Sequence, residues 1–322
     1  AAAGGRAGEP PAAATGLVNP GLTPTPDLLF VTGADGTVLA LDARTLKSVR
    51  EWKADGLDAF AASARGDRMA TAHKNAVSCA PTNRATPDWT VKVAGDPKVE
   101  SIHFVDADTL AVVVGIDNTK GKEGRIILLA AKNGAEKRSI TFPNDYITNT
   151  AGAEGWDRLA VSYQAPAGPA GEDRIALINL ATGKRVWDER AVSGTFLGGL
   201  DPKRARAAAY ALGADYEVHS IDLGTGKVAA KAQVGEQFVS DPVYTPDGRY
   251  VLVRGKGERL SVIDAATMKV VGERAWPGLQ RFAVSPDGKL LYMTTGEAGA
   301  SDTAKVVAVG FAEFLGGLQK AK

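Results

Sequence analysis

The sequence predicts an all-β chain: a seven-bladed β-propeller of four-stranded antiparallel blades. Three observations carry that reading. A turn centred on Asp-x-x-Thr-Gly-Lys recurs between apolar runs, with Asn179, Asp222 and Asp264 spaced 43 and 42 residues apart. A second turn, Pro-Asp-Gly, recurs between those copies. Seven short apolar runs occupy matching places in the period, and about four strands every 40–50 residues is the spacing of a propeller blade.

The chain opens on a different composition. Of residues 1–26, twenty are Ala, Gly, Pro or Thr, and Leu17, Val18 and Leu22 are the only large apolar side chains. Residues 1–16 cannot bury enough surface to offset their ordering entropy and read as a disordered linker. That leaves 17–322 as a single propeller domain. The start, Ala1-Ala2-Ala3, lacks Met. Removal of an export signal explains it, as does trimming at an arbitrary point. A small-residue linker ahead of a folded head favours the exported reading, in the periplasm or at the cell surface.

The strands then follow in order. Runs 28–32, 68–72, 109–114, 158–163, 205–210, 249–253 and 290–294 read as the second strands of successive blades. The strand–turn–strand copies are Leu41-Asp42-Ala43-Arg44-Thr45-Leu46-Lys47, Ile178-Asn179-Leu180-Ala181-Thr182-Gly183-Lys184, Ile221-Asp222-Leu223-Gly224-Thr225-Gly226-Lys227 and Ile263-Asp264-Ala265-Ala266-Thr267-Met268-Lys269. A fifth, Leu129-Ala130-Ala131-Lys132-Asn133-Gly134, keeps the spacing and loses the Asp. Asp or Asn opens the turn by bonding its own backbone, and Gly supplies the positive φ. Thr245-Pro246-Asp247-Gly248 and Ser285-Pro286-Asp287-Gly288 mark the other hairpins, with weaker versions at 66–67, 106–108, 155–157 and 201–203. Many of the 37 glycines therefore stand at corners. Ring closure predicts one blade built from both chain ends, because only closure removes sheet edges. Residues 17–25 can supply the innermost strand of the first blade or the outer strand of the last, where 310–318 offers a weak strand of its own.

Two family resemblances rest on these residues. Pro286-Asp287-Gly288-Lys289-Leu290-Leu291-Tyr292-Met293-Thr294, and Leu29-Phe30-Val31-Thr32-Gly33 with Gly36-Thr37-Val38-Leu39-Ala40-Leu41-Asp42, resemble the YVTN-type surface-layer propeller repeat of the broad WD-repeat-like superfamily. That resemblance spans 27–310 and implies a seven-bladed propeller, often exported in bacteria and archaea; it implies no reaction. Asn179-Leu180-Ala181-Thr182-Gly183-Lys184-Arg185-Val186-Trp187 resembles the Trp-ending repeat of quinoprotein-type propellers, in which a Trp docks each blade against the next. Trp52, Trp89 and Trp187 fall in comparable outermost strands, so packing is the role expected of them. Three blades have no equivalent, the chain has no adjacent cysteines, and it is one blade short of that class.

Composition removes several function classes. A net charge of +1 gives no general attraction to nucleic acid or anionic lipid. No apolar run approaches the ~18 residues of a membrane span. One cysteine excludes an internal disulfide, a cysteine cage and a Cys-x-x-Cys pair; Cys79 reads as a buried, inert thiol. His73, His103 and His219 fall in three different blades and read as hydrogen-bonded strand residues. Gly224-Thr225-Gly226-Lys227-Val228-Ala229 spells a dinucleotide pattern, but a strand follows it, and a phosphate site needs a helix N-terminus. Arg65-Gly66-Asp67 stands where other blades carry their Pro-Asp-Gly turn. Neither His-Glu-x-x-His nor Gly-x-Ser-x-Gly occurs. No catalytic residue, metal ligand or cofactor is assigned.

Loop length is the better functional signal. Loops joining the second and third strands open on the same face as the blade-to-blade connections. Those at 115–124, 164–173 and 295–303 are longer than the rest, and insertions on repeat scaffolds gather on binding faces. The connections at 142–147, 235–241 and 276–282 add aromatics beside polar groups, the composition of an interface hot spot. The predicted contact surface lies on the blade three–four side: Asp117, Lys120, Lys122, Glu123, Asp145, Tyr146, Glu172 and Asp173. The expected role is a binding scaffold outside the cytoplasm, touching another envelope or surface protein, with no nucleic acid and no membrane span. The alternative is a lactonase-like or quinoprotein-subunit-type propeller with a ligand, metal or active site at the channel mouth, assembled from separate blades without a linear motif.

Overall fold

The computed structural model describes residues 21–319 apart from 34, 55, 96–97, 116–123, 144, 166–171, 193, 204, 212–216, 235–239, 256 and 297–303. Seven antiparallel sheets follow one another along the chain, each in strict sequence order. Blade one holds β1 (Gly21–Pro24), β2 (Leu28–Thr32), β3 (Thr37–Asp42) and β4 (Ser48–Lys53). Blade two holds β5 (Ala59–Ala62), β6 (Arg68–His73), β7 (Ala76–Pro81) and β8 (Trp89–Lys92). Blade three holds β9 (Val99–Asp106), β10 (Thr109–Val114), β11 (Gly124–Ala130) and β12 (Glu136–Phe142). Blade four holds β13 (Tyr146–Ala151), β14 (Arg158–Ala165), β15 (Glu172–Asn179) and β16 (Arg185–Arg190). Blade five holds β17 (Thr195–Leu200), β18 (Arg206–Ala211), β19 (Glu217–Asp222) and β20 (Val228–Gln233). Blade six holds β21 (Ser240–Tyr244), β22 (Tyr250–Gly255), β23 (Arg259–Asp264) and β24 (Lys269–Ala275). Blade seven holds β25 (Leu279–Val284), β26 (Leu290–Thr295) and β27 (Lys305–Gly310), followed by helix α1 (Phe311–Gly316). All seven second strands lie within two residues of their predicted ends.

Burial is greatest in the second and third strands of a blade and falls towards the rim, and composition follows it. Every residue of β10 is buried, because both faces of that strand meet a neighbouring blade. Such a strand reads as a continuous apolar run, here Leu110-Ala111-Val112-Val113-Val114. In β12, at the rim, only Ile140 and Phe142 are buried. Charged side chains on the rest of that edge discourage pairing with another chain.

The recurrent turn forms as its residues dictate. Asp42, Asn179, Asp222 and Asp264 each accept, through Oδ1, the backbone N–H and hydroxyl of the Thr three residues on, at 2.7–3.0 Å. The amide and hydroxyl of that Thr hold the Asp42, Asp222 and Asp264 carboxyls below the usual range. The next residue takes positive φ: Leu46, Gly183, Gly226 and Met268, with Gly134 in the degenerate copy. This explains the two recognition-like motifs. Gly224-Thr225-Gly226 is such a turn, and Arg65-Gly66-Asp67 is a hairpin in which the Ser63 hydroxyl donates to Asp67 at 2.7 Å.

At two of these turns the blade before leaves room only for Gly, whereas a Cβ at Gly183 would meet Ile140 at an ordinary 3.4 Å. Trp89 and Trp187 lie against Gly134 and Gly226, and a Cβ at either glycine would come within 2.7 Å of the indole. Their ring N–H groups donate to Ala131 O and Leu223 O, both at 2.8 Å. Trp52 donates to Arg84 O in the irregular turn of blade two. In blades one and six, where no Trp arrives, Leu46 and Met268 fill the space themselves and are buried in the blade seven–one and five–six cores. Burial of the large side chain, worth about 1.5–3 kcal/mol, offsets the roughly 1–2 kcal/mol of left-handed backbone.

Two expectations about closure are corrected. No described sheet takes strands from both chain ends: β1 completes blade one, and inner strands β1 and β25 meet side by side. Across that seam Tyr292 donates its hydroxyl to Ala43 O at 2.7 Å, the carbonyl position that accepts the Trp N–H elsewhere. The weak outer strand expected at 310–318 is instead α1. Phe311, Phe314, Leu315 and Leu318 recur at helical spacing, not in alternation. The helix packs Phe311 and Phe314 against Leu252, Leu260 and Leu291. Beyond it Gln319 pairs with Glu273 on the edge of blade six, through N–H and C=O, both at 2.9 Å.

Candidate functional site

The crevice between blades three and four receives no tryptophan, and an arginine occupies it. Arg185, the first residue of β16, lays its guanidinium over the rings of Phe142 and Tyr163, 5.0 Å from each centroid. Its Nη2 donates to Asp145 Oδ2 at 2.8 Å and its Nη1 to the Tyr163 hydroxyl at 2.8 Å, and it also pairs with Asp188. Strict alternation would set Arg185 beside Trp187, but a register shift on β16 (Leu177 opposite Trp187, Ile178 opposite Arg185) turns Arg185 to the face of Asp188, while Trp187 faces blade five. Tyr163 donates to Asp188 Oδ2 at 2.6 Å, and Arg174 Nε donates to Asp188 Oδ1 at 2.8 Å. Arg174 Nη1 donates to Glu172 Oε1 at 3.0 Å, and Arg190 stands 3.6 Å from that oxygen.

Three guanidinium groups thus meet three carboxylates around one phenol. Burial raises Asp188, but hydrogen bonds from Tyr163, Arg174 and Arg185 outweigh it and hold its carboxyl below the usual range. Burial first, then the bond to Asp188, pushes the Tyr163 phenol well up, so it remains a donor. Exposure grades across the patch: the Asp145 side chain is 10% exposed, Arg190 80%. Every charge in the inner part is already held, which fixes the side chains in place. The arrangement can present a stiff, charge-balanced surface to a second molecule without first ordering itself.

The predicted residues divide. Asp145 and Glu172 join this network from opposite ends. Asp173 shapes its own connection, accepting Gly194 N–H on Oδ2 at 2.7 Å and Ala191 N–H on its carbonyl at 2.8 Å. Tyr146 opens β13 opposite Gln164 and is half-buried. Asp117, Lys120, Lys122 and Glu123 lie outside the described residues, as do most of the three long loops. Sequence reasoning passed over Arg174, Arg185, Asp188 and Tyr163. The signal available was the charged run Arg185-Val186-Trp187-Asp188-Glu189-Arg190 on a rim strand, which by itself reads as a solvated edge.

A family profile described as outer membrane protein assembly factor BamB matches residues 86–309, more than half of the chain. The chain belongs to that family. The match supports a propeller-repeat family and does not single out the surface-layer type. Among solved structures, the BamB-family chain is similar to the β-propeller domain of Myceliophteria thermophila Cps50 (Swd1), with a TM-score of 0.72 and 14% identity over 92% of this chain and 97% of that one. It is also similar to Kuenenia stuttgartiensis hydrazine synthase, with a TM-score of 0.66 and 16% identity over 91% and 96%. At such identities these likenesses show the fold alone. No curated protein matches the chain.

The remaining candidates in this BamB-family propeller have structural partners. Trp52, Trp89 and Trp187 spend their indole N–H groups on neighbouring blades, the docking role expected of the residues that resemble the quinoprotein repeat. His103 Nε2 meets Thr150 Oγ1 at 2.8 Å, and dense protein around the ring lowers its pKa to about 4. His219 pairs with Glu217 at 3.0 Å, and His73 with Asp58 at 3.4 Å. Cys79 is fully buried, and burial pushes its thiol up. Among the described residues no three His, Cys, Asp or Glu side chains are grouped to hold a metal ion. No described helix is long and apolar enough to cross a membrane.

Proposed function

We propose that the chain is a binding scaffold working outside the cytoplasm, which holds another envelope or surface protein against the face bearing the second-to-third-strand loops. The contact surface is the blade three–four side, with Asp117, Lys120, Lys122, Glu123, Asp145, Tyr146, Glu172 and Asp173. The observation that carries this reading is the Arg185 network: a prepaid, rigid cluster of Arg, Tyr and carboxylate groups grading outward to Arg190. Arg and Tyr are the side chains that anchor protein interfaces. Membership of a family described as an assembly factor supports a protein partner and an envelope location.

The test is co-purification from the cell envelope after crosslinking. Lys122→Glu with Tyr146→Ala reduces capture of the partner about tenfold or more, while Lys47→Glu with Lys269→Glu, on the opposite face, leaves it unchanged. Equal capture by both pairs overturns the assignment.

A further inference from the structure

Blade seven stops at three strands among the described residues, where the other six have four. The outer edge of β27 is therefore open, and burial records the missing neighbour. Val307, Ala308 and Val309 are half-buried, whereas Ser261, Val262 and Ile263 hold the same places on β23 and are buried. Across the crevice Leu39 on β3 is half-buried too, while its counterparts Ile127, Ala176 and His219 in blades three to five are buried. Helix α1 lies to the other side, with Phe311 and Phe314 in the blade six–seven crevice and Gln319 paired to Glu273. Backbone polarity along the edge follows from one bond. Leu290 stands opposite Gly310, and Phe311 N–H donates to Lys289 O at 2.8 Å. Alternation then turns the N–H and C=O of Val307 and Val309 to β26, and those of Val306 and Ala308 outward. The side chains of Val306 and Ala308 face blade one, beside Leu39.

We propose that this edge takes up an extended segment of a partner protein as an antiparallel fourth strand of blade seven, with aliphatic side chains at alternate positions. Main-chain pairing on an open edge supplies affinity, and the alternate side chains supply selectivity. Residues opposite Val306 and Ala308 share their face, so the aliphatic set is the one that covers Leu39. A second copy does not fit. The edge lies one strand spacing, about 4.8 Å, behind the rim that β4 and β24 carry on either side, so two rims collide before two β27 edges meet. The chain's own leading residues do not match the slot either. Junctions between a fourth strand and the next inner strand take from three residues (143–145) to six (93–98), so a strand leading into Gly21 would end between residues 14 and 17. That stretch reads Glu9-Pro10-Pro11-Ala12-Ala13-Ala14-Thr15-Gly16-Leu17, with one large apolar side chain at its very end. The site is remote from the Arg185 network, and neither depends on the other.

The experiment is calorimetric titration of the peptide acetyl-Thr-Val-Lys-Val-Thr-Val-Glu-amide into the full chain. Saturable binding is expected with Kd about 0.1–1 mM. Residues opposite Val306 and Ala308 aim their own N–H groups at the edge. N-methylation of the valines therefore weakens binding about tenfold or more, and N-methylation of the residues between them leaves it within about twofold. Ala308→Pro removes an outward N–H and no bond to β26, and it abolishes binding, with a thermal melt to verify folding. If that variant does not fold, the two N-methylated peptides decide on the unaltered chain. Absence of saturation up to ~5 mM peptide, or equal binding of the two N-methylated peptides, overturns the proposal. Binding that appears only in Thr15→Pro assigns the edge to the chain's own leading segment and overturns it as well. A concentration-dependent dimer that the peptide dissociates does the same in favour of a second copy.

Discussion

Replacing Gly226 by alanine places a methyl group inside the dock between blades four and five. Gly226 holds φ +78°, and its Cβ would lie 2.6 Å from Trp187 Cε3 and 2.8 Å from Trp187 Cδ2 and Glu189 Cγ. Left-handed backbone in an L-residue costs about 1–2 kcal/mol. Moving the indole breaks its N–H bond to Leu223 O, a net loss of about 1 kcal/mol, and overpacking adds roughly another 1 kcal/mol. Together the change amounts to about 3–4 kcal/mol. Urea unfolding followed by circular dichroism reads it: with a slope near 3 kcal/mol/M, the midpoint falls by about 1 M at constant slope. Trp187→Phe alone costs about 1–2 kcal/mol, chiefly through the carbonyl left unpaired. The smaller ring then gives the methyl room, so the double variant is more stable than additivity allows by ~1 kcal/mol or more. A midpoint shift in Gly226→Ala below ~0.2 M, or additivity within ~0.5 kcal/mol, refutes the packing of Trp187 on Gly226 as the reason for the glycine.

Other outcomes follow from the same interactions. Tyr292→Phe leaves Ala43 O unpaired at the seam and lowers stability at neutral pH by about 1–2 kcal/mol in urea titration. Burial pushes the Tyr292 phenol from 10 up to about 12. The folded state keeps its proton where the unfolded state releases it, so stability falls as pH rises from 10 towards 12. Tyr292→Phe flattens that alkaline limb by up to ~1.4 kcal/mol per pH unit. His103 behaves in the opposite sense. With its folded pKa near 4 against an ordinary 6.5, it contributes stability above pH 6.5 that is lost as pH falls towards 4. His103→Gln removes about 1–3 kcal/mol of that acid dependence, read from melts at pH 7 and 4.5. Arg185→Met strands the buried Asp145 carboxylate and destabilises the blade three–four crevice by about 1–3 kcal/mol; adding Asp145→Asn recovers part of it in the same assay.

Much of the fold was legible because its repeat is local. Asp222 and Thr225 lie three residues apart, so the turn they close is written in consecutive letters, and the strands it joins follow by alternation. The role of Trp89 and Trp187 was legible for a related reason, since both recur at a fixed place in a repeat. The C-terminal helix was not legible in the same way: Phe311, Phe314, Leu315 and Leu318 carry its period, but ring closure calls for an outer strand at that place. The candidate site was legible only in part. Asp145 and Glu172 stood on loops and could be picked out, whereas Arg185 looked like any solvated rim residue until Phe142 and Tyr163 were placed beneath it.

The sequence by itself determined the number of blades, the position of every second strand and the geometry of the recurrent turns, because each depends on residues a few positions apart. The tertiary structure alone decided what meets across the crevices. Arg185 reaches Asp145 across 40 residues, and Tyr292 reaches Ala43 across 249. Alternation says which face of a strand a side chain takes, but the partner it finds depends on how two separate sheets dock. That docking is set by the volumes of all the side chains between them, such as Trp187 against Gly226, and no short window of sequence contains both.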